Sequence, residues 1–342
     1  MNEAATSPSS WAPWLQRQLS ALIHQPGHAR LLAGPSGLGQ YPLALALARA
    51  WLCEQPAEQG ACGDCASCHA IDVRTHADLC VLMPETTMLE LGWPLAEKAQ
   101  AEIDEKKRKA SKEIKIDAMR EAVEFAQRTS ARGHGKVILV YPAERMNHIT
   151  ANALLKTLEE PAGELKFVLA TEAAHLLLPT IQSRCQQHTL VWPESEAALQ
   201  WMQKAGVDAT LARTMLRAAG GRPDDAIDKI RAGMTAKVWS GLPKALAQGD
   251  AQAVKDWPAP ELLNALQKVC HDLVARLFGA APRFFELADL PPGGSLSSLN
   301  RWARDLAAAR KSMEHPFNAG LMTEALVAAA ENALNSGSGK IS

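Results

Sequence analysis

Arg30-Leu31-Leu32-Ala33-Gly34-Pro35-Ser36-Gly37-Leu38-Gly39-Gln40-Tyr41-Pro42 is an apolar run that breaks into glycines and then resumes with helix-forming residues. Residues 30–33 read as a strand, the glycines as a loop, and residues 42–53 as the helix that follows. Such a loop lets successive backbone N–H groups curl round a phosphate at a helix N-terminus. Two side chains decide whether it does chemistry. A lysine supplies a point charge to the terminal phosphates, and a Ser or Thr hydroxyl holds Mg²⁺. Gln40 and Tyr41 stand at those places and replace neither function. The scaffold of Gly34, Gly37 and Gly39 is kept while the working parts are gone, so no ATP is expected here.

Outward from the loop, apolar runs at 79–82, 137–141, 167–170 and 188–191 alternate with helical patterns at 117–129 and 151–160. This is the mark of βα units and a parallel sheet. The run 137–141 ends in Tyr141, followed by Pro142, where a P-loop ATPase places an Asp for Mg²⁺. In the second helix Ala151, Leu154, Leu155 and Leu158 form one apolar stripe, Asn152, Lys156 and Glu159 the opposite face, and Pro161 ends it. After Trp192-Pro193 the strand signal stops. Helices are expected at 194–204, 208–219 and 223–232, punctuated by Gly206 and Gly220-Gly221, then over 236–333 with breaks at 257–260 and 289–298. The expected fold is α/β followed by all-α. Its domains are a P-loop-type parallel sheet over 1–192, a small helical domain over 193–235, a second over 236–335, and a frayed tail at 336–342.

The chain has 342 residues, 47% hydrophobic and 21% charged, with formal net charge -1, so it lacks the global charge of a nucleic-acid-coating protein. No apolar stretch is long enough for a membrane span, and residues 1–13 show no secretory pattern, which places the protein in the cytoplasm. Its seven cysteines should then stay reduced unless they bind metal. Cys53, Cys62, Cys65 and Cys68 form C-x8-C-x2-C-x2-C, in which a Cys-x2-Cys turn brings two thiolates to one metal. Gly60 and Gly63 allow the sharp turns. A closed, structural zinc site is the reading, against disulfides or unpaired thiols; His69 adjoins Cys68. Cys80, Cys185 and Cys270 stand alone, and Cys80 and Cys270 read as core residues.

Residues 95–115 form a charged insertion, with Lys98, Lys106, Lys107, Arg108, Lys109, Lys112 and Lys115 against Glu97, Glu102, Asp104, Glu105 and Glu113. Ala99, Ile103 and Ala110 are too sparse for a core face, so an exposed helix or helical hairpin is expected. It is either a solvated surface or a DNA or partner contact through residues 106–109.

Asn152-Ala153-Leu154-Leu155-Lys156-Thr157-Leu158-Glu159-Glu160-Pro161, Ser183-Arg184-Cys185 and the cysteine loop after the first helix resemble the bacterial clamp-loader branch of the AAA+ ATPases, over about residues 30–190. The losses resemble a non-hydrolysing member rather than the ATP-hydrolysing gamma/tau subunit. Asp224, after Gly221-Arg222-Pro223, stands where active members carry a nucleotide-sensing arginine, and Thr171 matches the sensor position of the sheet domain. The resemblance implies a ring with gamma/tau and delta subunits, held by a C-terminal helical collar, that places a sliding clamp on primer-template DNA. It also implies that Arg184 acts in trans as an arginine finger on a neighbour's ATP; the alternative reading is an interface or strand-edge ion pair. Two other functions compete: an active clamp-loader ATPase of gamma type, and a stand-alone zinc-containing DNA-binding module.

Overall fold

The computed structural model describes residues 11–312 and 319–336, so nearly all of the expected tail at 336–342 lies outside the described residues. The chain divides into two compact units, Met1–Glu194 and Ser195–Ser342.

The first unit is built on five parallel strands, β1 Ala29–Ala33, β2 Leu79–Leu82, β3 Lys136–Val140, β4 Leu165–Thr171 and β5 Gln186–Thr189, in the order β2-β3-β4-β1-β5. Its helices are α1 Pro13–Ile23, α2 Gln40–Leu52, α3 Ala66–Asp72, α4 Glu85–Glu90, α5 Glu97–Asp104, α6 Ile116–Gln127, α7 His148–Glu159 and α8 Pro179–Gln182. β3 is buried along its whole length and β4 nearly so, which is why they read as unbroken apolar runs. Leu31, Ile138, Phe167 and Leu169 pack with Met119 of α6 and Leu154 and Leu158 of α7 into one core. The strand order, with a glycine loop leaving β1 into α2, is the P-loop-type parallel α/β architecture expected from the sequence.

Local signals moved some boundaries. α7 begins at His148, three residues before the expected start, because the Asn147 side chain accepts the Thr150 N–H at 3.0 Å and caps the helix. β5 lies two residues earlier than the run 188–191 suggests. The ladder with β1 runs from Arg30–Gln186 to Ala33–Thr189, and only the Leu190 N–H reaches on to the Ala33 carbonyl. An edge strand carrying exposed glutamines has no apolar signature to mark its start. Helix α1, which precedes the first expected strand, buries Trp14, Leu15, Leu19 and Leu22 and packs against α2.

The second unit is helical: α9 Ser195–Lys204, α10 Ala209–Ala218, α11 Pro223–Arg231, α12 Ala236–Ala247, α13 Ala259–Leu277, α14 Leu296–Ser312 and α15 Ala319–Asn335. Asp208 and Thr235 cap α10 and α12 with their side chains. The two expected helical domains are joined within this unit by a few buried groups. Lys268 of α13 donates to the Ala218 carbonyl at 2.8 Å, at the C-terminal end of α10 where a cation is favoured. Burial lowers its pKa to about 7. Asp272, fully buried, accepts the backbone N–H groups of Arg283, Phe284 and Phe285 at 2.9, 2.7 and 2.8 Å and closes the loop after α13. Trp239 stacks on Phe285 with ring centroids 4.8 Å apart.

Candidate functional site

The sulfurs of Cys53, Cys62, Cys65 and Cys68 all lie within 4.8 Å of one another. The separations are 3.5 Å for Cys53–Cys62, 3.8 Å for Cys53–Cys68, 3.9 Å for Cys53–Cys65 and 4.0 Å for Cys62–Cys68. Metal–sulfur bonds of about 2.3 Å in a tetrahedron place sulfurs about 3.8 Å apart, so the cage fits a tetrahedral thiolate site. Its construction is local. Cys53 is the C-cap of α2, Cys65 the N-cap of α3, and Gly60 and Gly63 turn the loop between them at φ 139° and 90°. Backbone N–H groups already point at the sulfurs: those of Gln55 and Cys62 at Cys53, and that of Cys68 at Cys65. Burial pushes the Cys68 thiol up to about 12. Burial opposes ionisation of Cys65 as well, but there the Cys68 N–H and other hydrogen bonds outweigh it and bring the thiol down to about 6. A divalent cation bound among them would favour the thiolate form of all four.

Around the cage stands a second layer that the cysteine spacing does not announce. Arg49 of α2 pairs with Asp72 of α3 at 2.8 Å and reaches the Gly63 carbonyl at 3.5 Å. The Glu54 carboxylate accepts the N–H and hydroxyl of Ser67 at 3.1 and 2.9 Å and pairs with Arg132 at 3.0 Å. Arg132 is placed in turn by buried Asp78, which accepts the backbone N–H groups of Ala131 and Arg132.

The glycine loop has the expected backbone and a changed interior. Gly37 and Gly39 sit at φ 76° and 88°, a conformation that favours glycine. Gln40 is only 2% exposed, and its amide donates to the carbonyls of Gly34 and Pro35, both at 2.6 Å. The side chain at the lysine position is thus spent inside the loop. Tyr41 and Tyr141, at the two places where a Mg²⁺ ligand is expected, face each other with ring centroids 5.4 Å apart. Trp93 donates its indole N–H to the Tyr41 hydroxyl at 2.6 Å, and the Arg74 guanidinium lies 4.5 Å from the Trp93 ring centroid. Burial raises the Tyr41 pKa.

Arg184 follows α8 with its side chain 36% exposed. One guanidinium nitrogen pairs with Glu159, the last residue of α7, at 2.5 Å, and another donates to the Thr180 carbonyl at 2.9 Å. Cys185 beside it is buried. Thr171 is fully buried and donates to Glu144 at 2.6 Å, so it has a structural partner within the chain. Asp224 lies in the first turn of α11, and burial together with Asp228 and Asp225 pushes its pKa up to about 7.

The insertion holds one helix, α5, which buries none of its residues. Its charges face inward more than their count suggests. Glu85 at the start of α4 receives Arg108 at 2.5 and 2.9 Å, Lys115 at 2.6 Å and the Ser111 N–H at 2.8 Å, and Glu102 takes a further contact from Arg108 at 2.7 Å. Lys107 pairs with Glu105. Burial raises the Glu85 carboxyl, but these donors outweigh it and hold it at about 2. A folded pKa below the unfolded one gives stability that is complete above about pH 5 and lost as the pH falls through about 2. Glu85→Gln should therefore cost on the order of 1–2 kcal/mol near neutrality, because Lys115 and Arg108 lose their shared carboxylate while Arg108 keeps Glu102. The gap in melting temperature between wild type and variant should narrow steadily below pH 4. A gap independent of pH would mean that the carboxylate charge is not what holds the insertion.

The model of a family described as "DNA polymerase III, delta subunit" matches residues 13–193. DNA polymerase III subunit delta' of Pseudomonas aeruginosa is 39% identical over 215 residues, 62% of this chain and 58% of that protein. Its Escherichia coli counterpart is 33% identical over 281 residues, 75% of this chain and 77% of that one. DNA polymerase III subunit tau of Escherichia coli is 33% identical over 163 residues, 48% of this chain and 21% of its own. A solved gamma-subunit-related protein of Thermotoga maritima superposes at 16% identity over 93% of this chain and 99% of its own, with a TM-score of 0.49, too loose to add to the strand order.

Proposed function

The chain belongs to the family of DNA polymerase III delta' subunits, and on that premise we propose that it is a non-hydrolysing subunit of the replicative clamp loader. In this reading it assembles in the cytoplasm with gamma/tau and delta subunits, reaches the sliding clamp and primer-template DNA through that assembly, and presents Arg184 to a neighbouring subunit's ATP. The observation that carries the reading is the glycine loop. Its amide at position 40 is bonded back to Gly34 and Pro35, and the metal positions 41 and 141 carry tyrosines in place of a compact Ser or Thr hydroxyl and an acid. The strongest electrostatic contacts to a triphosphate are therefore missing.

Zinc at Cys53, Cys62, Cys65 and Cys68 would supply structure only, because four thiolates leave no open position for substrate. It would cross-link the end of α2 to the start of α3. Arg49, Asp72, Glu54 and Ser67 keep the same two helices in register from outside the cage.

Calorimetric titration of the isolated chain with Mg·ATP tests the proposal. No binding isotherm below millimolar is expected, and no turnover. Low-micromolar, Mg²⁺-dependent affinity would overturn it and return the chain to the hydrolysing class.

A further inference from the structure

We propose that residues 84–115 form an internal plug of the nucleotide site, in which Trp93 is the stopper and the charged insertion the brace that holds it. The proposal rests on the reading that the loop carries no nucleotide, and adds what keeps it closed. Losing the lysine and the hydroxyl would leave a loop that is chemically weak but open. Instead, the place between positions 41 and 141 is filled by two tyrosine rings, and a third aromatic ring from a separate segment is bonded to the first.

The segment is built to deliver that ring. α4 ends in a left-handed glycine, Gly92 at φ 70°, and the Trp93 N–H turns back to the Met88 carbonyl at 2.8 Å, a helix-stop geometry that fixes the chain's exit direction. Trp93 is 7% exposed, held by Met88 from the backbone side and covered by Arg74 on its face. Neither support depends on Tyr41. The start of α4 is fixed by Glu85, on which Arg108 and Lys115 converge from the far end of the insertion. A row of charges that looks like solvated surface, or like a DNA contact, thereby orients the helix that carries the stopper.

Restoring the loop chemistry alone should then fail to restore binding. The test compares Mg·ATP binding, by calorimetry, in four full-length proteins: wild type, Gln40→Lys/Tyr41→Thr, the same pair with Trp93→Ala, and the pair with Trp93→Leu. Zinc content and circular dichroism establish that each is folded. The Leu variant keeps apolar bulk, so it reports even if the alanine protein is too unstable to measure. The double variant should show no isotherm. At least one Trp93 variant should bind ten-fold or more tightly than the double. Equal binding by the double and the Trp93 variants would remove Trp93 as the stopper. Folded Trp93 variants that still bind nothing would also sink the plug, because something else then closes the site. Binding by wild type would instead defeat the underlying reading of a dead loop, and is told apart by appearing before any substitution.

Discussion

Arg184→Ala is expected to leave a reconstituted loader ring assembled while removing much of its clamp- and DNA-stimulated ATP turnover. A guanidinium aimed at the charge that develops in phosphoryl transfer is worth a factor of about 10³–10⁵ at the site it serves. Loss of that factor at one interface stalls that interface, and residual turnover should come from the remaining sites. Stability should hardly change. Arg184 is 36% exposed on its side chain, its ion pair with Glu159 is partly solvated, and such a pair contributes about 0–1 kcal/mol. Arg184→Lys should rescue poorly, since an ammonium keeps the charge without the planar fork that spans phosphate oxygens. Glu159→Gln offers a separate reading. It leaves the guanidinium and removes the carboxylate that steadies it, so turnover should fall less than with the alanine variant. Steady-state ATPase with clamp and primed DNA, run beside size-exclusion of the ring, makes the measurement. Full turnover in an assembled Arg184→Ala ring would leave an ordinary ion pair between α7 and the end of α8.

What the sequence could and could not convey follows from distance along the chain. β3 and β4 were legible because both faces are buried, whereas β5 begins with Gln186 and Gln187 on an edge and was placed two residues late. The cysteine cage is legible because its four cysteines fall within sixteen residues and sulfur spacing is a local matter. Its supports were not: Glu54, Ser67 and Arg132 come from three segments and meet only in the fold. At the glycine loop, the absence of a lysine can be read from position 40 alone. The new partner of Gln40 cannot, because it is the loop's own carbonyls. Trp93 lies 52 residues from Tyr41, and its local sequence Leu91-Gly92-Trp93-Pro94-Leu95 marks a turn without naming the partner. The insertion shows the same limit from the other side. A count of its charges suggests solvent, but Glu85, ten residues before its start, draws two of them inward.

Cys65→Ser is expected to take bound zinc from one per chain to almost none, and to loosen residues 53–72 while the sheet survives. Structural zinc in a thiolate cage contributes on the order of 10 kcal/mol of apparent binding free energy at neutral pH, and that energy is folding energy for the loop it closes. Cys65 is the most exposing test. It is both a ligand and the N-cap of α3, its sulfur accepting the Cys68 N–H at 3.4 Å. A serine hydroxyl can still cap that helix, so the substitution removes the soft ligand and spares the local turn. The core of β1, β3 and β4 does not depend on the loop, since Leu31, Ile138, Phe167 and Leu169 are buried against α6 and α7. Most of the helical circular dichroism should therefore remain. The loss should appear as faster proteolysis and hydrogen exchange confined to the loop and α3. Arg49–Asp72 and Glu54–Ser67 would still connect α2 to α3 without metal, so the loosening should be partial rather than a release of the segment. Elemental analysis of wild-type and variant protein purified without chelator decides the matter. Wild type free of zinc would end the assignment, and a variant that keeps a full equivalent would show that Cys65 is not among the ligands.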